Sequence, residues 1–228
     1  MTGIIIQSLA GVMWTLAYIL IILRSRRDRI YGMPLVALCA NLTWEFYYTL
    51  VELPPHDDPT KLAAQFVVNF VWLVFDLVIL VQVLRYGPRQ FGWLSPATFY
   101  GLFALTLAIT GPTIVLLNKE FDDIYGVRAS FVQNLAMSAL FLVMLNARRS
   151  DAGQSVGIAV CKMTGTALAA LGVYLYPPAP VYDESVLLPF LYLAILALDL
   201  VYTVMLVRIR RARAARDEAS PATEAVPA

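Results

Sequence analysis

The sequence predicts an all-α polytopic membrane protein of seven transmembrane helices, and two observations carry that prediction. Seven apolar windows, near 4–23, 30–51, 63–84, 94–117, 125–146, 155–176 and 186–207, each reach spanning length at ~1.5 Å per residue across a ~30 Å hydrocarbon core. The loops between them alternate in charge. Those after the odd-numbered windows hold Arg24, Arg26, Arg27 and Arg29, then Arg85 and Arg89, then Arg148 and Arg149, then Arg208, Arg210, Arg211, Arg213 and Arg216. The intervening loops hold Glu52, Asp57 and Asp58, then Glu120, Asp122 and Asp123, then Asp183 and Glu184. The positive-inside rule therefore places the N-terminus outside and the C-terminus in the cytoplasm. Composition agrees, since 60% hydrophobic with only 14% charged residues lies outside the balance of a soluble domain. Residues 1–216 are expected to form the seven-helix domain, and 217–228 a polar, disordered cytoplasmic tail. No charged n-region or small-residue cleavage site precedes Ile4, so the first window reads as a retained helix of a multi-pass protein of the cell membrane.

Taken in order, the first helix offers Trp14 and Tyr18 on one face, four residues apart. The second, IYGMPLVALCANLTWEFYYTLV, is expected over 30–51, with Pro34 in its first turn. It contains Glu45. A carboxylate at that depth costs about 2.5 to 3.5 kcal/mol on insertion scales, so an intramembrane acid reads by default as a working site with a partner. Helical spacing puts Asn41, Glu45 and Tyr48 on one face, with Trp44 on its shoulder. The plainer alternative is a polar contact joining two helices. The loop ELPPHDDPT is proline-stiffened and holds the lone histidine, His56, which reads as solvated surface because no second metal ligand stands near it.

The third helix carries a second acid, Asp76, with Trp72 and Asn69 one and two turns back on the same face. In the fourth, Gly111-Pro112 is expected to interrupt and bend the helix. The fifth contains Gln133 and Asn134. The sixth contains Lys162, near enough to the cytoplasmic side to extend its ammonium to the interface, with a functional amine as the alternative reading. The seventh carries a third acid, Asp199, with Tyr192 and Tyr202 on or near its face. Cys39 and Cys161 lie inside apolar runs and read as small buried hydrophobes. A 3+1+3 parallel repeat is possible, because a constant offset pairs Pro54-Pro55 with Pro177-Pro178, Asp76-Leu77-Val78 with Asp199-Leu200-Val201, and Arg85 with Arg208. Glu45 falls opposite Leu168 and has no counterpart.

The chain has no GxxxxGK[ST] loop, no GxSxG elbow, no HExxH and no Cys/His cluster, so phosphate transfer, serine hydrolysis and zinc chemistry lack sequence support. Asp57-Asp58 and Asp122-Asp123 do not extend to DDxxD, which argues against magnesium-driven loss of pyrophosphate. Proton chemistry remains. A carboxylic acid in a low dielectric favours its neutral form and serves as a general acid toward an alkene or epoxide. The cation formed needs electron-rich ring faces, and Trp44, Tyr47, Tyr48, Trp72, Tyr192 and Tyr202 are candidates to supply them.

The run GMPLVALCANLTWEFYY, together with a lone aspartate in the last of seven helices, resembles the small integral-membrane terpene cyclases of meroterpenoid biosynthesis, the family of fungal pyripyropene and paspaline cyclases and of bacterial indole sesquiterpenoid cyclases. The resemblance covers essentially the whole chain in length and helix count. It rests most on N-x-x-W-E, here Asn41, Trp44 and Glu45, and on Asp199. It implies an acid-initiated, metal-independent cyclase of the isomerase or lyase type, with Glu45 and Asp199 as catalytic acids and no cofactor. Its expected substrate is a prenylated, farnesylated indole-type precursor, protonated at a terminal alkene or epoxide. Asn41, Trp44, Tyr48, Asn69, Trp72, Asp76, Tyr192 and Tyr202 are the expected substrate-binding residues, with no metal ligand among them. The expected partners are the prenylated substrate and the lipid bilayer, without nucleic acid, and the sequence leaves the oligomeric state open. On helix geometry Glu45 and Asp199 stand roughly 12 Å apart in depth, which argues against a single hydrogen-bonded pair of acids. A proton-coupled small-molecule transporter is the principal rival; a retinal protein would need a lysine in the last helix, where there is none.

Overall fold

The computed structural model describes residues 2–55 and 58–219, with side chains described to residue 215, and is helical throughout its ordered elements. His56 and Asp57 therefore lie outside the described residues, as does most of the expected tail, 220–228. The helices are α1 (Thr2–Asp28), α2 (Leu35–Phe46), α3 (Pro59–Gln90), α4 (Pro96–Phe121), α5 (Val127–Arg148), α6 (Val156–Leu175), the single turn α7 (Pro180–Asp183) and α8 (Leu187–Ala219). Six of these, all but α2 and α7, are long and apolar enough to cross a membrane.

The second element departs from expectation. It begins at Leu35 because Pro34 adopts an extended conformation (φ −57°, ψ 138°) and stands before the helix rather than inside its first turn. The α-helix gives way after Phe46 to a π-helical turn, Tyr47–Val51, closed by Glu52 N–H on Tyr47 O at 2.8 Å. Helix starts elsewhere follow side-chain chemistry. Asp58, Ser95 and Ser155 accept from the N–H of Thr60, Thr98 and Ile158 at 2.9, 3.1 and 3.2 Å, with Pro59 and Pro96 at the first helical position. The bond from Thr60 holds the exposed Asp58 carboxyl below its usual range. Against expectation, Gly111-Pro112 does not interrupt α4, which continues unbroken to Phe121. A single missing N–H in a helix of this length is absorbed locally.

Two sets of polar contacts mark the ends of the bundle. At one end Asp151, between α5 and α6, lies 3.3 Å from Arg24 of α1 and 3.4 Å from Arg213 of α8, while Arg148 donates to Tyr31 O and Tyr202 donates to Gln154 at 2.7 Å. At the other end Asp123, wholly buried between α4 and α5, accepts from the N–H of Arg128 and Ala129 and from the Tyr182 hydroxyl. α2 runs between these two ends even though it is shorter than its neighbours: Arg148 holds Tyr31 before it, and Tyr48, in the π-helical turn that follows it, donates to Asp123 O at 2.9 Å. The core between the ends contains Tyr18, Leu38, Ile79, Val83, Phe141, Leu145, Ile158 and Leu206. Apolar side chains such as Leu16, Val74, Ile109, Val143 and Leu193 face outward, the arrangement lipid requires. Cys39 is buried as expected, and Cys161 is half-buried; both are free thiols.

Candidate active site

Asn41 is the centre of the site. From α2 its amide nitrogen donates to the Tyr18 hydroxyl of α1 and to Asp76 Oδ2 of α3 at 2.9 Å, while its oxygen accepts from Gln133 Nε2 of α5 at 3.1 Å. Four helices are thus fastened through one side chain, and all four residues are buried. An amide suits this place because it offers donors and acceptors together. One turn along α2, Glu45 is 3% exposed, and its Oε2 has no hydrogen-bond partner; neither do Asp76 Oδ1 and Gln133 Oε1. Glu45 and Asp76 are near enough to interact electrostatically, and among the described residues neither makes an ion pair.

Aromatic rings lie beside this carboxyl pair. Tyr18 stacks on Trp72 with centroids 6.3 Å apart and meets Phe75 at 5.8 Å, and the Trp72 indole donates to Thr15 at 3.0 Å. Asn69, a further turn back on α3, accepts from Gln65 at 2.9 Å and keeps an unpartnered buried Nδ2. The predicted residues Asn41, Glu45, Trp72 and Asp76 therefore come together. Tyr18 and Gln133 join them; the sequence showed both as polar groups on apolar helices, but not that they converge.

Trp44 and Tyr48 are anchored by their polar tips. Trp44 donates to Gly126 O at 2.9 Å and Tyr48 to Asp123 O, tying the far half of α2 to the turn before α5. Gly126 sits at φ 66°, and a Cβ there would lie 2.6 Å from the Tyr48 ring and 2.7 Å from Trp44 Nε1, so this turn needs glycine on both counts. Tyr202 is likewise fixed at the opposite end, by Gln154.

Asp199 stands in a separate cluster. Lys162 of α6 donates to its two oxygens at 2.8 and 2.9 Å and to Ser138 of α5 at 2.7 Å. The expectation that Lys162 extends to the interface is overturned: the residue is 2% exposed, and its ammonium lies 5.9 Å from the Trp14 ring centroid. A partner on each side of the ammonium outweighs the gain from reaching water. Gly165 lets α1 approach closely enough to bring Trp14 there, since a Cβ would meet Trp14 at 2.8 Å. Tyr192 packs edge-on to Phe131 at 4.6 Å and lines, with Asp199, Met163, Thr166 and Leu196, a crevice between α6 and α8. Between the two clusters α5 contributes Gln133 on one side and Asn134, bonded to Thr166 at 2.9 Å, on the other.

Fold and site together define a multi-pass helical membrane protein whose interior holds carboxyl groups among aromatic rings. Residues 2–212 match the family of Pyr4-like transmembrane terpene cyclases, and the chain belongs to that family. It is 32% identical to the Pyr4-family terpene cyclase mfmH of Annulohypoxylon moriforme over 74% of this chain and 68% of that one. It is 29% identical to the terpene cyclase macJ of Penicillium terrestre (90% and 80% covered) and 24% identical to the terpene cyclase pyr4 of Aspergillus fumigatus (88% and 84%). No solved structure matches the chain.

Proposed function

We propose that the chain protonates the terminal alkene, or epoxide, of a prenylated, farnesylated indole-type precursor and closes its rings through carbocations, without metal or cofactor. The supporting observation is Glu45, buried beside Asp76 and Asn41 with an unpartnered oxygen. Two neighbouring carboxyl groups with no cation beside them are costly to ionise together, so at least one carries a proton. Glu45 is the donor because Asp76 already accepts a hydrogen bond, which suits an anion. Tyr18, Trp72 and Phe75 offer ring faces to the cation. Asp199 completes the catalytic pair from its own cluster, and Tyr192 contacts the skeleton there. In this reading α2 makes the seventh crossing, the arginine-rich end faces the cytoplasm, and α1–α3 and α5, α6 and α8 form two parallel triplets linked through α4. The relatives' names favour a cyclase over a transporter.

Membranes containing the chain are given a farnesylated indole with and without its terminal epoxide, and the products are identified. Glu45→Gln should lower turnover by at least ~100-fold, the scale of a lost general acid, while the protein still inserts and folds. Unchanged turnover would refute the donor assignment.

A further inference from the structure

The offset that pairs Asp76 with Asp199 exposes how the two halves differ. Each aspartate is held by the middle helix of its own triplet: Asp76 by Asn41 of α2, Asp199 by Lys162 of α6. At that offset Lys162 falls opposite Cys39, just as Glu45 falls opposite Leu168. The first triplet thus has an additional acid, the second an additional cation. We propose that Lys162 is a positioning residue that holds Asp199 as a fixed carboxylate, so that Asp199 receives the proton ending the cyclisation while Glu45 supplies the one that begins it.

The geometry fits that role. The Lys162 ammonium uses its three protons on both Asp199 oxygens and Ser138, all in the interior, so the carboxylate is neutralised and aimed at once. A carboxylate bonded in this way keeps free lone pairs, and beside Tyr192 it lines a crevice between α6 and α8 with room for about one water, which an apolar skeleton must widen to reach Asp199. In the terminating step a C–H bond next to the cationic carbon breaks, its electron pair becomes the product double bond, and the proton passes to an Asp199 oxygen. With one proton given by Glu45 and one taken by Asp199, the product is an isomer of the substrate. Glu45 then regains a proton and Asp199 releases one.

This inference rests on the cyclase reading, and the experiment separates the two. Wild type, Lys162→Arg, Lys162→Met and the apolar pair Lys162→Met/Asp199→Leu are compared for product pattern and thermal stability. Lys162→Met should consume substrate yet lower the fully cyclised product about tenfold or more, in favour of isomers with a misplaced final double bond. Lys162→Arg should recover most of the native pattern. The apolar pair should recover stability, as buried ion pairs replaced by apolar residues often do, without recovering the product. A native pattern from Lys162→Met overturns the role of Lys162. Should that variant fail to fold, a native pattern from the apolar pair overturns it equally. Wild-type membranes that cyclise neither substrate overturn the cyclase reading, and this inference with it.

Discussion

Replacing Asn41 by leucine tests whether one amide organises the site. The substitution keeps the number of side-chain heavy atoms and membrane compatibility, though leucine is bulkier, and it removes the three hydrogen bonds of Asn41 to Tyr18 Oη, Asp76 Oδ2 and Gln133 Nε2. Interhelical bonds in membranes average about 0.6 kcal/mol each, which sets a floor near 2 kcal/mol for three. Groups stranded without water cost about 1 to 3 kcal/mol each, which raises the figure. All four residues are buried, so the expected loss is about 2 to 4 kcal/mol, or roughly 5 to 10 °C in detergent for a chain of this size. Thermal unfolding of purified protein is the assay. Asn41→Leu combined with Asp76→Leu should cost less than the sum of the two, because the shared bond is lost once. A shift below about 2 °C, or strict additivity, would show that Asn41 does not hold these helices together.

Gly126→Ala places a methyl group against Tyr48 and Trp44 at positive φ and should cost about 2 to 4 kcal/mol, read by the same unfolding assay. Ser155→Ala removes the cap at Ile158 N–H and should cost about 1 kcal/mol with product pattern intact. Asp199→Asn should lower turnover severely, and Asp76→Asn less so, because an asparagine at 76 still accepts from Asn41; product yield from equal amounts of folded protein decides the order.

The helices were legible because lipid demands long apolar runs, and the windows from 63 onward match the observed elements to within a few residues, apart from the extended ends of α3 and α8. The start of α2 was not, since the apolar segment Ile30–Met33 is as hydrophobic as a helix while folding as a buried non-helical strap. Local spacing placed Asn41 with Glu45, and Trp72 with Asp76, on their helix faces. Which face meets which depends on contacts more than a hundred residues apart, such as Arg24 with Asp151. Periodicity put Trp44 and Tyr48 beside Glu45 but did not reveal that their polar tips were already committed to Gly126 and Asp123. The fate of Lys162 was hidden for the same reason: one helix viewed alone offers a lysine no partner but water.

The wider winding at the end of α2 has a bearing on the surrounding bilayer. Its 12 α-helical and five π-helical residues reach at most about 25 Å, against about 30 Å of hydrocarbon. Val36, Phe46, Leu50 and Val51 are exposed on its flank, so if this segment makes the seventh crossing proposed above, lipid tails must shorten or splay to meet it. Vesicles of long-chain lipids would strain that seam and short-chain lipids would relieve it, making membrane thickness a control on the rod that carries Glu45.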